Sequence, residues 1–387
     1  MNARRYTLGL FALIALSLTA VAAFNRVIDP FWYYRDIEIA GLNAVKPRFA
    51  RFERHVKPAL LMREKPQAIV LGSSFSAIGF DPLDPAFTDG GRFTGYNFAF
   101  PGTAWAHEQC AFEFALRSTR LKRVVMAVSP GAMPLADCSK VWTGMTVSTA
   151  ELLLSINALD NSLRTVIEQK RARPSHTRDG RYFYTRDVPG AAARFREYFQ
   201  RAEAPVMRCR AEKLKVPVAL MPEKIEPLAD MDLSGLRAVL REARAAKVEL
   251  ALVIIPRHAM SLELEFACGS GAARWRAMER IARLVAEEGG GATALWSFDG
   301  YDAMRGERVT EREPLYWQDP EHFNMEVGAR MLAAMFGGER GFGIKLTPGL
   351  AARHYAEVLA SREDFLNNAP WFYPDLRALA APAAALR

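Results

Sequence analysis

Two short stretches of this 387-residue chain hold side chains suited to acyl transfer. Ser74 ends the triplet Gly72-Ser73-Ser74, directly after the apolar run 67–71. A serine at the end of a buried strand serves as a nucleophile when a base lies within hydrogen-bond reach, and its backbone N–H can face a developing oxyanion. Far downstream, Asp319 stands three residues before His322, just ahead of a helical pattern. That spacing lets the carboxylate hold the imidazole through Nδ1 and leaves Nε2 free to take the serine proton. Taken singly, each motif is also an ordinary turn, because Gly, Ser and Asp favour turns and caps. The informative feature is the pair, placed at the two ends of one alternation of strands and helices.

Further candidates sit in the loops between them. Asn97 and Gly102 bracket the stretch Asn97-Phe98-Ala99-Phe100-Pro101-Gly102. Arg257 and His258 follow an apolar strand and are placed to contact an anionic or glycan substrate. Tyr316 and Trp317 precede the Asp/His loop and can stack on a sugar ring. His107, at the start of a helix, reads as structural, and the basic run 170–181 reads as a solvated loop. No cysteine spacing of the C-x-x-C kind occurs, so neither a metal nor a cofactor is expected. Cys110, Cys138, Cys209 and Cys268 allow three disulfide pairings, and buried free thiols are an equal alternative.

The elements that must position these groups are legible as periodicity. Residues 67–71, 123–129, 248–255 and 292–298 are short apolar runs that end at Gly, Pro or Asp-Gly, the signature of buried strands. Helical spacing separates them at 103–118, 234–247, 271–288 and 326–336. Buried strands alternating with helices predict an α/β domain with a parallel sheet. The expected organisation is an anchor or signal over 1–24, a juxtamembrane linker over 25–66, the α/β domain over 67–345 and a helical tail over 346–387. A mostly helical insertion at about 139–232, with a helix over 147–170, interrupts the domain and is expected to cap the site.

Residues 6–24 carry no charge, and as a helix they would reach about 28 Å, close to a bilayer's hydrocarbon core. Arg4 and Arg5 precede the run, which by the positive-inside rule puts the N-terminus in the cytoplasm and the body outside it. Ala20-Val21-Ala22 offers a cleaved signal as the alternative. The net charge of +8 makes nucleic acid a candidate partner until its distribution is considered. Residues 1–66 hold eleven basic and five acidic side chains, so the body is nearly neutral. The basicity is therefore expected to address a membrane surface, with no nucleic-acid partner.

The ordered set resembles the SGNH/GDSL hydrolase superfamily. Gly72-Ser73-Ser74 stands where its first block has G-D-S, Asn97 through Gly102 where its second has N-x-x-x-x-G, and Asp319 to His322 where its last has D-x-x-H. The third block, G-x-N-D, meets Ser129-Pro130-Gly131-Ala132, which has no asparagine. The likeness is closest to membrane-anchored exported members involved in alginate O-acetylation and teichoic-acid D-alanylation. It implies a three-layer, flavodoxin-like parallel sheet, with Ser74 as nucleophile, His322 as base and Asp319 as its orienter. The backbone N–H groups of Ser74 and Gly102 would form part of the oxyanion hole. The implied activity is a serine esterase or O-acyltransferase, single-pass in the inner membrane with its catalytic domain in the periplasm or outside the cell. Its partners would be an exported glycan or acyl-donor substrate and a membrane acyltransferase. A catalytically weakened glycan-binding or assembly scaffold is the alternative.

Overall fold

A computed structural model describes residues 3–142, 148–170, 173–184, 190–200, 231–267, 271–310 and 312–380. Four apolar runs form parallel strands: β1 (Ala68–Leu71), β3 (Arg123–Val128), β4 (Glu249–Ile254) and β5 (Thr293–Ser297). Two three-residue strands join them. β2 (Gly95–Asn97) pairs parallel to β1, and β6 (Ile344–Leu346) pairs antiparallel to β5. The order across the sheet is 2-1-3-4-5-6. Every residue of β1 is buried, and β3 and β4 expose only their first residue in part, so both faces of the sheet are covered. The parallel order reverses between β1 and β3, and a crevice opens at the carboxyl ends of the strands at such a switch point.

The covering helices follow the expected periodicity. α4 (Trp105–Ser118), α9 (Ser234–Ala245), α11 (Gly271–Glu288) and α13 (Leu350–Asn368) pack each against the next. α9 buries Leu236, Val239, Leu240 and Ala243, the positions set one and two turns apart. α3 (Ser74–Gly79) and α12 (Met325–Phe336) pack together. Their backbones meet because Gly79 and Gly328 lack side chains. A Cβ at 328 would lie 1.8 Å from the Gly79 carbonyl oxygen, and one at 79 would lie 2.1 Å from the Phe323 ring.

The N-terminal helix α1 (Ala3–Ile28) is long and apolar enough to cross a membrane, with residues 3–20 exposed along its length. The segment expected as a linker is instead folded onto the domain. It contains α2 (Phe49–Glu64), which buries Phe49, Val56, Leu60 and Leu61 in the core. The end of α1 is stitched to it by side chains. Asn43 Nδ2 donates to the Val27 carbonyl at 2.8 Å, and Lys46 Nζ to the Ile28 carbonyl at 2.7 Å. These are final-turn carbonyls with no partner inside the helix, and a lysine there also suits the dipole. Basic charge expected at headgroups is therefore partly internal. Lys46 and Lys57 are buried, and Lys57 Nζ donates to the Ala99 carbonyl at 2.7 Å.

The helix expected over 147–170 is broken at Ser155 into α6 (Thr149–Leu154) and α7 (Ile156–Glu168), each with a serine cap. Beyond the tail helix α13, a further helix α14 (Phe372–Ala380) buries Phe372, Leu376 and Leu379. The other short helices are α5 (Cys138–Val141), α8 (Ala191–Gln200) and α10 (Ala259–Ala267).

Cys110 on α4 is disulfide-bonded to Cys138 on α5; Cys209 and Cys268 lie outside the described residues. The bond braces the loop after β3, which Trp105 Nε1 and the Gln109 side chain also hold, through the Pro134 carbonyl and the Ala136 N–H. With the cysteines 28 positions apart in sequence, the bond constrains the unfolded chain by about 3–4 kcal/mol. Reduction, or a Cys110→Ser/Cys138→Ser pair, is expected to lower the denaturant midpoint by a corresponding amount. An unchanged midpoint would count against a bridge that holds this wall.

Candidate functional site

The site begins with the turn after β1. Gly72 adopts φ +133°, and a Cβ there would lie 2.4 Å from Ser76 Oγ, so only glycine fits. The turn delivers Ser74 to the first position of α3, partly exposed, with its side chain at the carboxyl edge of the sheet. The partner loop is narrow. An antiparallel bridge between Trp317 and Phe323 closes it, and the Gln318 N–H donates to the His322 carbonyl at 2.7 Å. Phe323 is buried against Phe80, and Asn324 caps α12. The loop tip thus holds Asp319 and His322 over α3.

Ser74 Oγ lies 2.8 Å from His322 Nε2, and His322 Nδ1 lies 2.8 Å from Asp319 Oδ2. The imidazole stacks on Phe75 at 4.7 Å between ring centroids. Asp319 is fully buried and accepts from the backbone N–H groups of Glu321 and His322, both at 2.9 Å, and from the Tyr184 hydroxyl at 2.9 Å. Burial alone would raise this carboxyl. The charge and hydrogen bond of His322 and the two backbone donors outweigh it and hold Asp319 well below the usual carboxylate range. Asp319 therefore stays an acceptor, which keeps the proton on Nδ1 and the Nε2 lone pair toward Ser74.

Beside this chain of hydrogen bonds a cavity of about 590 Å³ opens at the switch point. Its walls come from every loop at that edge: Ser73 and Phe75 after β1, Thr103 and Trp105 after β2, Ser129, Pro130, Ala132 and Met133 after β3, Ile255 and Arg257 after β4, and Glu321 beside the histidine. Arg257 pairs with Glu321 at 3.3 Å, so that expected contact residue does border the cleft. Thr103 on the wall places Gly102, with φ +69°, next to the cavity. The stretch 129–132 lines it without any side-chain amide.

Three expected substrate contacts are structural instead. Asn97 is fully buried; its Nδ2 donates to the Ser76 carbonyl at 3.0 Å and the Phe80 carbonyl at 3.1 Å, and its Oδ1 accepts from Ala99 N–H. It pins α3 to the sheet, because a buried amide must satisfy its own hydrogen bonds. Trp317 is buried, with Nε1 donating to the Met304 carbonyl at 2.9 Å, and no face is left for a sugar. His258 is also buried. Its Nε2 donates to the Glu307 carbonyl at 2.9 Å, and its Nδ1 accepts from Met260 N–H at 3.2 Å. Its backbone N–H donates to the Pro320 carbonyl at 3.1 Å, so it braces the Asp/His loop from behind. Tyr316 packs against the core and is not part of the cavity wall.

Three residues escaped the sequence reading. Tyr184 belongs to the insertion and reaches Asp319 only through the tertiary fold. From the same insertion Arg194 Nε donates to the Gln318 carbonyl at 2.8 Å, so its described part buttresses the Asp/His loop from behind. Thr177-Arg178-Asp179 lies in a hairpin turn closed by the His176–Tyr182 bridge, and a second Thr-Arg-Asp, at 185–187, lies outside the described residues. Glu108, in the first turn of α4, lines the cavity, and burial pushes its carboxyl up to about 8. A neutral acid on the wall can donate a hydrogen bond at neutral pH. Its first-turn position suits an anion and gave no hint of that burial. No protein-family model matches the chain, and no curated protein matches it.

Burial lowers His258 to about 4. Below its ordinary value of 6.5 the unfolded chain binds a proton that the folded protein refuses, so stability falls as pH drops from 6.5 toward 4. This single group accounts for a loss on the order of 3 kcal/mol across that window. In His258→Gln, the dependence of Tm on pH between 6.5 and 4 is expected to flatten, with little change in slope above 6.5. An unaltered slope would remove His258 as its source.

Proposed function

We propose that this protein is a serine esterase or O-acyltransferase, tethered by α1 and acting on an exported cell-envelope or extracellular glycan. The continuous hydrogen-bond chain from Ser74 through His322 to Asp319, beside a cavity lined by their neighbours Ser73, Phe75 and Glu321, is the observation that carries the reading. The motifs shared with SGNH/GDSL hydrolases support it, and the sheet order 2-1-3-4-5 is that of flavodoxin-like doubly wound sheets. The Cys110–Cys138 disulfide suits an oxidising compartment.

In this mechanism Ser74 Oγ attacks the ester carbonyl while its proton passes to His322 Nε2. The backbone N–H groups of Ser74 and Gly102 receive the oxyanion. Collapse of the tetrahedral intermediate expels the alkoxide, which takes the proton from His322 and leaves an acyl group on Ser74. Water or a sugar hydroxyl then gives its proton to His322, attacks the acyl-serine, and restores the free serine. The acceptor alone separates hydrolysis from transfer, so a membrane acyltransferase supplying the acyl donor fits the same site. Arg257 and the neutral Glu108 are the polar groups placed to orient that acceptor. The second reading, a glycan-binding scaffold, rests on the absent amide at 129–132.

The full chain in detergent is expected to turn over p-nitrophenyl acetate and to be labelled by a fluorophosphonate at Ser74. Ser74→Ala should abolish labelling and reduce kcat by on the order of 10⁴-fold or more. Equal rates in the two proteins would refute the serine chemistry, and an unlabelled wild type would favour the scaffold. Asp319→Asn, which leaves the loop its hydrogen-bond acceptor but favours the wrong tautomer, should lower kcat by about 10⁴-fold with KM little changed. Near-normal kcat in that variant would remove Asp319 from the catalytic chain.

A further inference from the structure

The helix α7 is amphipathic in the inverse sense. Its inward residues are small or polar: Ala158, Asn161, Ser162 and Thr165 are all buried. Its large apolar residues point outward, with Ile156 86% exposed, Ile167 77% and Leu163 48%. Leu154, at the end of α6, adds to the same surface at 44%. At ~100° per residue the exposed apolar positions share one face. Asp160, Arg164 and Glu168 form a strip along one edge of it, where Arg164 pairs with Asp160 at 2.9 Å and Glu168 with Arg48 at 2.6 Å. A water-soluble surface arranges these classes the other way round. Small residues at the helix contact and large apolar ones outward are the arrangement used in lipid.

The position of the pair says which apolar phase is available. α6 and α7 pack against α1, and Asn25 Nδ2 of α1 donates to the Leu153 carbonyl at 2.8 Å. Contacts of α1 with the body begin at about Val21, where its exposed run of residues 3–20 ends. The apolar face therefore lies beside the point at which a membrane-crossing α1 would leave the hydrocarbon. We propose that α6 and α7 form a second membrane contact, with Ile156, Leu163 and Ile167 seated among lipid acyl chains in the leaflet from which α1 emerges. This rests on α1 spanning the bilayer and is independent of the acyl chemistry. Lipid is favoured over a protein partner because the face is continuous with α1, and because its charges are confined to one edge, as on a helix lying in the interfacial plane.

The test uses the full chain in phosphatidylcholine vesicles, with Cys209 and Cys268 replaced by serine and single cysteines carrying an environment-sensitive fluorophore. Ile167→Cys reports the proposed face and Leu13→Cys reports insertion of α1. Arg353→Cys, on a side chain 70% exposed on α13, reports water. At an interfacial depth of ~5–10 Å, nitroxide on the lipid acyl chains should quench the label at 167 by roughly half, as it does at 13, while soluble iodide quenches only the label at 353. Iodide quenching at 167 with lipid quenching at 13 would place the face in water and overturn the proposal. Protection at 167 from both quenchers would show a protein cover, such as a second copy, and would overturn it equally. Failure of lipid quenching at 13 would remove the premise and the proposal together.

Discussion

The candidate site depends on one close approach of backbone to backbone. Ser74 starts α3 and His322 lies just before α12, and the two helices touch where Gly328 meets the Gly79 carbonyl. A methyl group on either glycine would collide with backbone or with the Phe323 ring, and would push apart the elements that carry Ser74 and His322. A hydrogen bond of 2.8 Å weakens steeply with displacement. The separation of Ser74 and His322 is therefore set by packing several residues away, on the far side of each motif. Asn97 reinforces it by gathering carbonyls at both ends of the Ser76–Phe80 stretch onto one amide.

The second dependency is the buried Asp319 carboxylate. A charge removed from water is tolerated when fully hydrogen-bonded. Among the described residues four donors serve its two oxygens: His322 Nδ1, two backbone N–H groups and Tyr184. Three come from the loop itself, so the loop folds around its own anion. The fourth comes from the insertion, which also grips the loop through Arg194 and packs Phe195 on His258 at 5.0 Å. The insertion thus fixes Asp319, and His322 inherits that rigidity.

How much was legible follows from what each feature depends on. The four long strands and most helices are written as local periodicity, so Ile69, Val125, Leu252 and Leu295 could be placed in a sheet without coordinates. β2 and β6 hold three residues each, too few for any period to register, and they exist because neighbouring strands offer hydrogen bonds. Ser74, His322 and Asp319 were legible as a set that meets in space because the motifs that hold them stand in order at the two ends of one α/β alternation. Asn97, His258 and Trp317 misled because a polar or aromatic residue at a strand end or in a loop of the carboxyl edge is equally suited to facing a ligand or satisfying buried backbone. Only the tertiary contacts decide between these. Tyr184 and Glu108 were invisible for the converse reason, since nothing in their local sequence reports the carboxylate or the cavity they meet.

The same distinction explains the charge at the N-terminus. Counting lysines and arginines over 1–66 suggested a basic surface, yet Lys46 and Lys57 spend their charge on carbonyls inside the fold, and Arg48 on Glu168. A buried ammonium is costly unless its donors are used, so these residues commit the segment to a single packed arrangement. With Asn25 and Asn43 bonded across the end of α1, the helix joins the domain as a rigid strut. A flexible tether would let the body sample any angle to a bilayer. A strut transmits the tilt of α1 to the sheet, so with α1 across a bilayer, as proposed, the cleft at the β1/β3 switch point would hold a defined aspect toward it.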